Sequence, residues 1–293
     1  MNAPSTLIAE ESRKTPTPDN LEITVRNRRF GRGIEVRRWW LGGDPVGTAW
    51  MNALSATFPR GEAFFIESVK AFRDGADPRL GSEIRAFVKQ EINHTREHVA
   101  FNRMAQDHGY DIDAIDARVA KLLAELKSRP VILNLAATMA LEHFTAMLGH
   151  ELLDNPAYLE GADGDLGDLW RWHSAEEVEH KGVAYDTWLH ATRDWSRFRR
   201  WKVKSLMMLL VTVRFIRHRT QDTMELLAQD GLTGWKWRFK LAKYLLVKPG
   251  FIRRILPGWL AYFMPGFHPW DEDNRALIKV YEGDFEDALM PAK

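Results

Sequence analysis

Two stretches, QEINHTREH at residues 90–98 and HSAEEVEH at 173–180, constrain this chain more than any other feature of it. Each carries a Glu-x-x-His pair, Glu91 with His94 and Glu177 with His180. On an α-helix each residue turns the side chain by about 100°. His173, Glu177 and His180 then share one stripe with Leu166, Trp170, Ala184, Trp188 and Ala191. Glu91, His94 and His98 fall within about 60° of one another by the same rotation, on a face continued by Ile84, Phe87, Phe101 and Ala105. The ionisable residues therefore sit on apolar faces. Leaving such groups buried and unpaired costs several kcal/mol, so something must compensate them. A single Glu-x-x-His is usually an ordinary helix surface, where i, i+3 pairs add slight stability. The conjunction of two on apolar stripes is what points to a metal.

A four-helix bundle that holds two metals takes two Glu-x-x-His helices and one Glu from each of two more. In GEAFFIESVKAF the choice lies between Glu62, which shares its face with Phe65, Ile66, Val69 and Phe72, and Glu67, which lies beside Ala63, Lys70 and Asp74. Glu62 is the inward one. In LAATMALEHFTAMLG, Glu142 shares a stripe with Leu135, Thr138, Met139, Thr145, Ala146 and Gly149 and with no other charge. The expected ligands are thus Glu62, Glu91, His94, Glu142, His173, Glu177 and His180, with His98 left open as a ligand or a supporting group. Glu67, Glu97, Glu176 and Glu179 are read as solvated or supporting, His143 and His150 as core or rim histidines, and Tyr185 as a packing residue. The helices are expected over 61–74, 79–108, 130–152 and 165–195, after a segment opened by Asp44 and Pro45 and interrupted at Pro59. The fold class is all-α: a four-helix bundle over 47–195 with an additional C-terminal helical region.

This arrangement resembles the ferritin-like di-iron carboxylate proteins across about residues 47 to 195. The additional His173, one turn before the last Glu-x-x-His, is similar to the arylamine N-oxygenase branch, in which a third histidine joins the iron ligands. The resemblance implies that Glu62, Glu91, His94, Glu142, His173, Glu177 and His180 bind two irons. His98 departs from the simple ferritin pattern. The wording of FPRGEAFF, QEINHTREH and FHPW also resembles a bacterial family described only as predicted metal-dependent hydrolases, a name that supplies no established substrate.

Composition bounds the rest. The chain has no cysteine, which excludes thiolate ligands, disulfides and iron–sulfur clusters. Carboxylates and imidazoles alone suit iron or manganese, as Fe/Fe or Mn/Fe. Residues 1–20 read as a disordered tail without the basic and apolar regions of a signal peptide, so a cytoplasmic location is expected. Residues 21–46 read as an N-terminal arm, with a small hairpin as the alternative over 21–40. The apolar run Ser205–Val213 is too short for the roughly 20 residues of a spanning helix, and no span is expected.

The net charge of +1 hides an asymmetry: between residues 197 and 254 there are fifteen Lys and Arg against three Asp and Glu. Aromatics interleave these cations, Trp201, Trp235, Trp237 and Phe239 among them. For the region 196–293 we expect either an extra helical layer or, through 197–262, a peripheral contact with the inner face of a membrane. No nucleic-acid module accompanies the charge, and no nucleic acid is expected. His268 is read as structural.

Three functions fit these features: an O2-activating di-iron oxygenase or oxidase acting on a small or lipid-like apolar substrate and served by an electron donor; a hydrolase with a water activated by two metals; and a non-enzymatic iron-binding protein. The basic, aromatic C-terminal region argues against the last. A homodimer is a further expectation.

Overall fold

The protein is described by a computed structural model over residues 16–289, with side chains placed for 16–284. Eleven α-helices follow one another among the described residues. They are α1 (Pro45–Ser55), α2 (Phe58–Lys70), α3 (Pro78–Asp107), α4 (Asp113–Lys127), α5 (Val131–Asp154), α6 (Leu166–His180), α7 (Val183–Ala191), α8 (Arg197–Gln229), α9 (Trp235–Leu246), α10 (Phe251–Ala261) and α11 (Arg275–Leu289). Single 3-10 turns sit at Pro156–Tyr158 and Pro269–Asp271.

The starts follow local chemistry. Asp44 caps α1, accepting from the backbone N–H of Val46 (3.0 Å) and Gly47 (3.1 Å), with Pro45 in the first turn. Asp77 and Pro78 do the same for α3, where Arg79 and Leu80 donate at 3.0 and 3.1 Å. Pro59 falls in the first turn of α2, where it costs no intrahelical hydrogen bond, so it opens that helix.

Helices α2, α3, α5 and α6 form the bundle. α2 packs on α3 and α5 on α6, and the square is closed by α2 on α5 and α3 on α6. Each pair is an antiparallel hairpin, and the link between the pairs crosses the bundle through α4. The helices expected from the sequence do not cover 109–129. The structure makes it a helix that buries Ile115 and Val119, one turn apart, against α2 and α5. The single helix expected over 165–195 is likewise two, α6 and α7, parted at Lys181 and Gly182. At Gly182 a Cβ would lie 2.7 Å from Nε1 of Trp270, so only glycine lets that indole pack there.

Helix α5 is apolar on all sides because every side is covered: by α2 and α6 in the bundle, and by α7, α8 and α10 outside it. By length and composition alone it could cross a membrane. Its apolar window is 67% buried within the protein, and Glu142 in its middle faces the bundle interior, so the apolarity belongs to the core.

The hairpin weighed as the alternative over 21–40 is not formed. No strand occurs among the described residues, and the only bridge pairs Leu41 with Ala162. The segment runs as an extended arm over the bundle, turned at Gly31 (φ 67°) and Gly33 (φ 70°). A partner strand is unnecessary because carboxylates of the bundle accept its backbone N–H groups. Arg26 N donates to Glu176 (2.9 Å), Phe30 N to Glu97 (3.0 Å) and Gly31 N to Asp165 (2.8 Å). Of the expected tail, residues 1–15 lie outside the described residues. From Pro16 the chain is placed, and Thr17 donates its hydroxyl to Asp186 at 2.7 Å.

One hydrophobic core runs from Trp40 and Trp50 through Leu135 and Trp172 to Met208, Leu226 and Tyr262. The C-terminal helices share it with the bundle: α8 packs on α1 and α5, and α10 on α5.

Candidate metal centre

All seven residues expected to face inward meet in the middle of the bundle, one carboxylate helix at a time: Glu62 from α2, Glu91 and His94 from α3, Glu142 from α5, and His173, Glu177 and His180 from α6. Their side chains are buried. They form two groups with ligand-type atoms within 4.8 Å of one another, Glu62 with His94 and His173, and Glu91 with Glu177 and His180. Glu142 Oε2 lies 3.3 Å from Nε2 of His180, beside the second group.

Two carboxylates reach both groups. Glu177 Oε1 is 2.8 Å from His173 Nε2 and 3.9 Å from His94 Nδ1, while its Oε2 is 3.4 Å from His180 Nε2. Glu91 Oε1 lies 3.8 Å from His94 Nδ1 and 3.2 Å from His180 Nε2. Glu91 and Glu177 thus lie between the two groups, with Glu62 in the first and Glu142 beside the second.

Each imidazole is gripped from outside. His94 Nε2 donates to Glu176 Oε2 (3.0 Å), and His180 Nδ1 donates to Gln90 Oε1 (2.9 Å). Behind His173 runs a longer relay. Asn102 Nδ2 donates to the Ser55 carbonyl (3.2 Å), which turns its Oδ1 toward the Ser55 hydroxyl, and that hydroxyl donates to it (2.7 Å). With the serine proton so used, His98 Nδ1 donates to Ser55 Oγ (2.8 Å), and His98 Nε2 accepts from His173 Nδ1 (2.6 Å). His173 Nε2 is thereby turned to Glu177 Oε1, within hydrogen-bond distance at 2.8 Å. His98 is thus a supporting group that orients His173. Glu62 is held in the same manner by Thr95, which donates to its Oε2 at 2.8 Å.

The inward atoms have no such partners. Glu62 Oε1, both oxygens of Glu91, both of Glu142, Glu177 Oε2, His94 Nδ1 and His180 Nε2 are buried without a hydrogen bond. Burial pushes Glu62 and Glu91 well above the usual carboxylate range, with the neighbouring carboxylates adding to it, and pushes Glu142 up to about 7. Burial also holds His94 and His98 well below the ordinary imidazole value. Burial opposes charge on His180 as well, yet Glu177 and Glu142 raise it well above that value; in turn His180 and His173 hold Glu177 low against its own burial. Four carboxylates facing imidazole nitrogens match two divalent cations in charge and in donor type. The residues present fit that group.

A second layer surrounds the first. Arg26 of the arm donates to both oxygens of Glu179 (3.0 and 2.6 Å), Gln90 Nε2 donates to the same carboxylate (2.9 Å), and Gln90 in turn holds His180. Trp172 Nε1 donates to Glu176 (3.1 Å), the partner of His94. Glu97 is buried and faces Arg29, Arg32 and Arg96. Glu176, Glu179 and Glu97 therefore support the site or bind the arm, whereas Glu67 is solvated and pairs with Lys127 (2.5 Å). His143 is a core residue whose Nε2 donates to the Gly258 carbonyl (3.1 Å), and His150 sits at the rim. Tyr185 packs, with its hydroxyl on the Phe267 carbonyl, and His268 binds Asp186 (3.1 Å). Sequence reading missed Gln90, Thr95, Ser55, Asn102 and Arg26. Gln90 and Thr95 each adjoin a motif residue, which was the available signal; nothing local marks Ser55, Asn102 or Arg26.

Replacing Glu142 with Ala is expected to lower bound metal from two ions per chain toward one with the helical content unchanged, read by elemental analysis and circular dichroism. Two ions retained would contradict its place as a ligand.

A family model described as "Predicted metal-dependent hydrolase" matches residues 24–273, from the arm through the last 3-10 turn. Comparison with curated proteins and with solved structures returned no match.

Proposed function

We infer the activity from two premises: the chain belongs to the predicted metal-dependent hydrolase family, and every imidazole of its centre has one nitrogen held from behind and the other turned to buried carboxylates, unpartnered in His94 and His180 and 2.8 Å from Glu177 Oε1 in His173. The second observation carries the reading, because outward hydrogen bonds that fix a histidine's tautomer and aim its lone pair are what metal-ligating imidazoles need. The protein is a metal-dependent enzyme, and our reading is that Glu62, Glu91, His94, Glu142, His173, Glu177 and His180 hold two ions, iron with iron or manganese with iron.

Beside the centre lies a cavity of about 170 Å3. His173 and Glu177 form its inner end, with Gly61, Phe58 and Trp170 around them. From there Phe65, Leu148, Phe144 and Phe215 line it to α8, where Leu210 and Arg214 face both the cavity and solvent. Its walls are almost wholly apolar. A site of this kind admits a small apolar or single-chain substrate and keeps water away from it.

That dryness favours oxidation over hydrolysis as the reaction. Two redox-active ions would supply O2 binding and electron storage, the reducing equivalents coming from a separate donor. The chain's own part is positional: Glu91 and Glu177, which lie between the two groups of ligand-type atoms, would help to hold both ions, the Asn102, Ser55 and His98 relay keeps Nε2 of His173 directed inward, and Phe58 and Trp170 close the cavity against that edge. The family description favours a second reading, in which two ions activate a water against an ester or phosphate bond. Turnover of apolar and ester substrates by iron-loaded protein, with and without O2 and a chemical reductant, separates them. Product formed at equal rate without O2 would sink the oxidative reading.

Gly61 gives a way to test the cavity apart from the ions. It sits inside α2, and a Cβ there would meet nothing nearer than Phe65 Cζ at 3.9 Å. Gly61→Leu should fill the inner end, leave two ions bound, and raise KM for an apolar substrate at least about tenfold, since a lost apolar contact of this size is worth ~1–3 kcal/mol. Unaltered kinetics would place the substrate elsewhere.

A further inference from the structure

We propose that the outer face of α8, α9 and α10 docks on an anionic lipid leaflet. Helix α9 carries the clearest sign. Its core face is Leu241, Tyr244 and Leu245. About 100° per residue puts Trp235, Phe239, Ala242 and Leu246 within roughly 60° of one another on the opposite side. Trp235 is 80% and Phe239 65% exposed, and Leu246 is exposed as well. Lys236, Lys240 and Lys243 flank this stripe on one side and Arg238 on the other, all exposed. An outward apolar stripe bordered by cations is the pattern of a helix lying in a membrane interface, with rings among the acyl ends of the headgroups and ammonium groups at the phosphates.

The neighbouring helices extend the face. On α8 the residues Leu206, Leu209, Leu210 and Val213 are exposed, and on α10 so are Leu256 and Leu260, followed by Met264. Trp259 Nε1 of α10 donates to Thr212 Oγ1 of α8 at 2.8 Å, which binds the two helices side by side. A groove lined by Ile216, Arg217, Leu246 and Ile252 joins α8 to α9 and α10. Charge complementarity selects the occupant. Fifteen Lys and Arg against three acids between 197 and 254 suit a phosphate surface. A second copy meeting this face across a two-fold axis would set the same lysines against each other.

The structure also decides which cations take part. Lys204, within the basic segment, is buried, and its ammonium lies 4.9 Å over the Tyr262 ring and 3.4 Å from the Tyr185 hydroxyl. Arg219 is buried too, donating to the Ala53 carbonyl (2.5 Å) and to Asp222 (2.5 Å). The docking charge is that of α9 with Arg199, Lys202, Arg217 and Arg253. Since Leu210 and Arg214 at the cavity mouth lie on α8 among these residues, an amphiphile from the leaflet would enter the cavity directly; this last step rests on the proposed function, whereas docking does not.

Flotation of the full chain decides the matter, using vesicles of equal parts phosphatidylglycerol and phosphatidylcholine against phosphatidylcholine alone, with metal-free and metal-loaded protein alike. The expected result is binding to the anionic vesicles only. It should weaken at least about threefold between about 0.05 and 0.5 M salt, where screening shortens the reach of surface charge. Lys236→Glu with Lys240→Glu and Lys243→Glu should lower the bound fraction at least about tenfold at low salt, and Trp235→Ala with Phe239→Ala should remove the part that survives high salt. Helical content and metal stoichiometry, measured on each variant, confirm that it is folded. Folded protein that stays at the bottom with anionic vesicles, variants that float like the parent, or self-association abolished by the same substitutions would each overturn the proposal. None of these outcomes touches the metal reading, which is measured without lipid.

Discussion

Chelated protein is expected to unfold at a much lower temperature than metal-loaded protein, and the gap should widen as pH rises above 6.5. Ions that bind only the folded chain stabilise it by about 4 kcal/mol at a thousandfold excess over Kd. A loss of at least that size is expected on their removal. The pH dependence follows from the burial of the ligands. Without ions, Glu142 is pushed up to about 7 from 4.5, with Glu62, Glu91 and His180 raised well above their ordinary values. A group whose folded pKa is raised contributes stability that is present below its unfolded pKa and is lost as pH climbs through the folded one. His94 and His98 are lowered from 6.5 and act in the opposite sense only below that pH, and Glu177, held low, acts only in acid. Above pH 6.5 the metal-free chain should therefore lose stability steadily. The loaded chain should do the reverse, because metal competes with protons for the same atoms and wins more easily as pH rises. Thermal melts across pH 6.5–8.5, with and without chelator, give the two slopes. Parallel curves would show that the buried cluster does not hold ions.

Removing one arginine of the arm should do damage comparable to opening the core. Arg26 is the partner of Glu179 and touches Glu176 (3.6 Å) and Glu282 (2.5 Å). Arg26→Ala leaves two carboxylates buried against Gln90 and Trp172 with their cation gone, a change that costs about 3–5 kcal/mol. For a chain of this size that is a fall of roughly 5–15 °C in Tm. Arg60→Ala, which breaks an exposed pair with Asp116, should change little. Arg26→Lys should recover only part of the loss, since an ammonium cannot reproduce the bidentate contact with Glu179. Because Glu179 also holds Gln90, and Gln90 holds His180, the alanine variant should in addition bind its second ion more weakly. Equal Tm values for Arg26→Ala and Arg60→Ala would show that the arm is not a structural clamp.

The bundle was legible because its signals are local. Glu91 with His94, and Glu177 with His180, stand one helical turn apart among Phe87, Phe101 and Trp170, so periodicity alone assigns them to an inward face. Glu62 over Glu67 and Glu142 among small apolar residues follow by the same rule, and the structure brings all of them to one place. What was not legible depends on residues far apart in the chain. Arg26 and Glu179, Ser55 and His98, Gln90 and His180 meet only after the arm, α1 and α6 have packed on α3. Gly182, between α6 and α7, is where the indole of Trp270 packs, and no helical pattern near it announces a ring arriving from the other end of the sequence. Within 197–254 the sequence could count cations but not sort them: Lys204 and Arg219 face inward, and Lys236 and Lys240 do not.

The sequence by itself determined the class of fold, the seven side chains that face one another and the absence of thiolate among them. Helical rotation is a property of neighbouring residues, and ligand chemistry is a property of each residue alone. Only the tertiary structure decided which nitrogen of each histidine points inward, that His98 supports His173, that the arm's arginines cover Glu176, Glu179 and Glu97, and that an apolar cavity reaches the centre at His173 and Glu177. Those outcomes are set by how helices of known faces cross and stack, and close packing allows one arrangement of side chains among many that the same periodicity would permit.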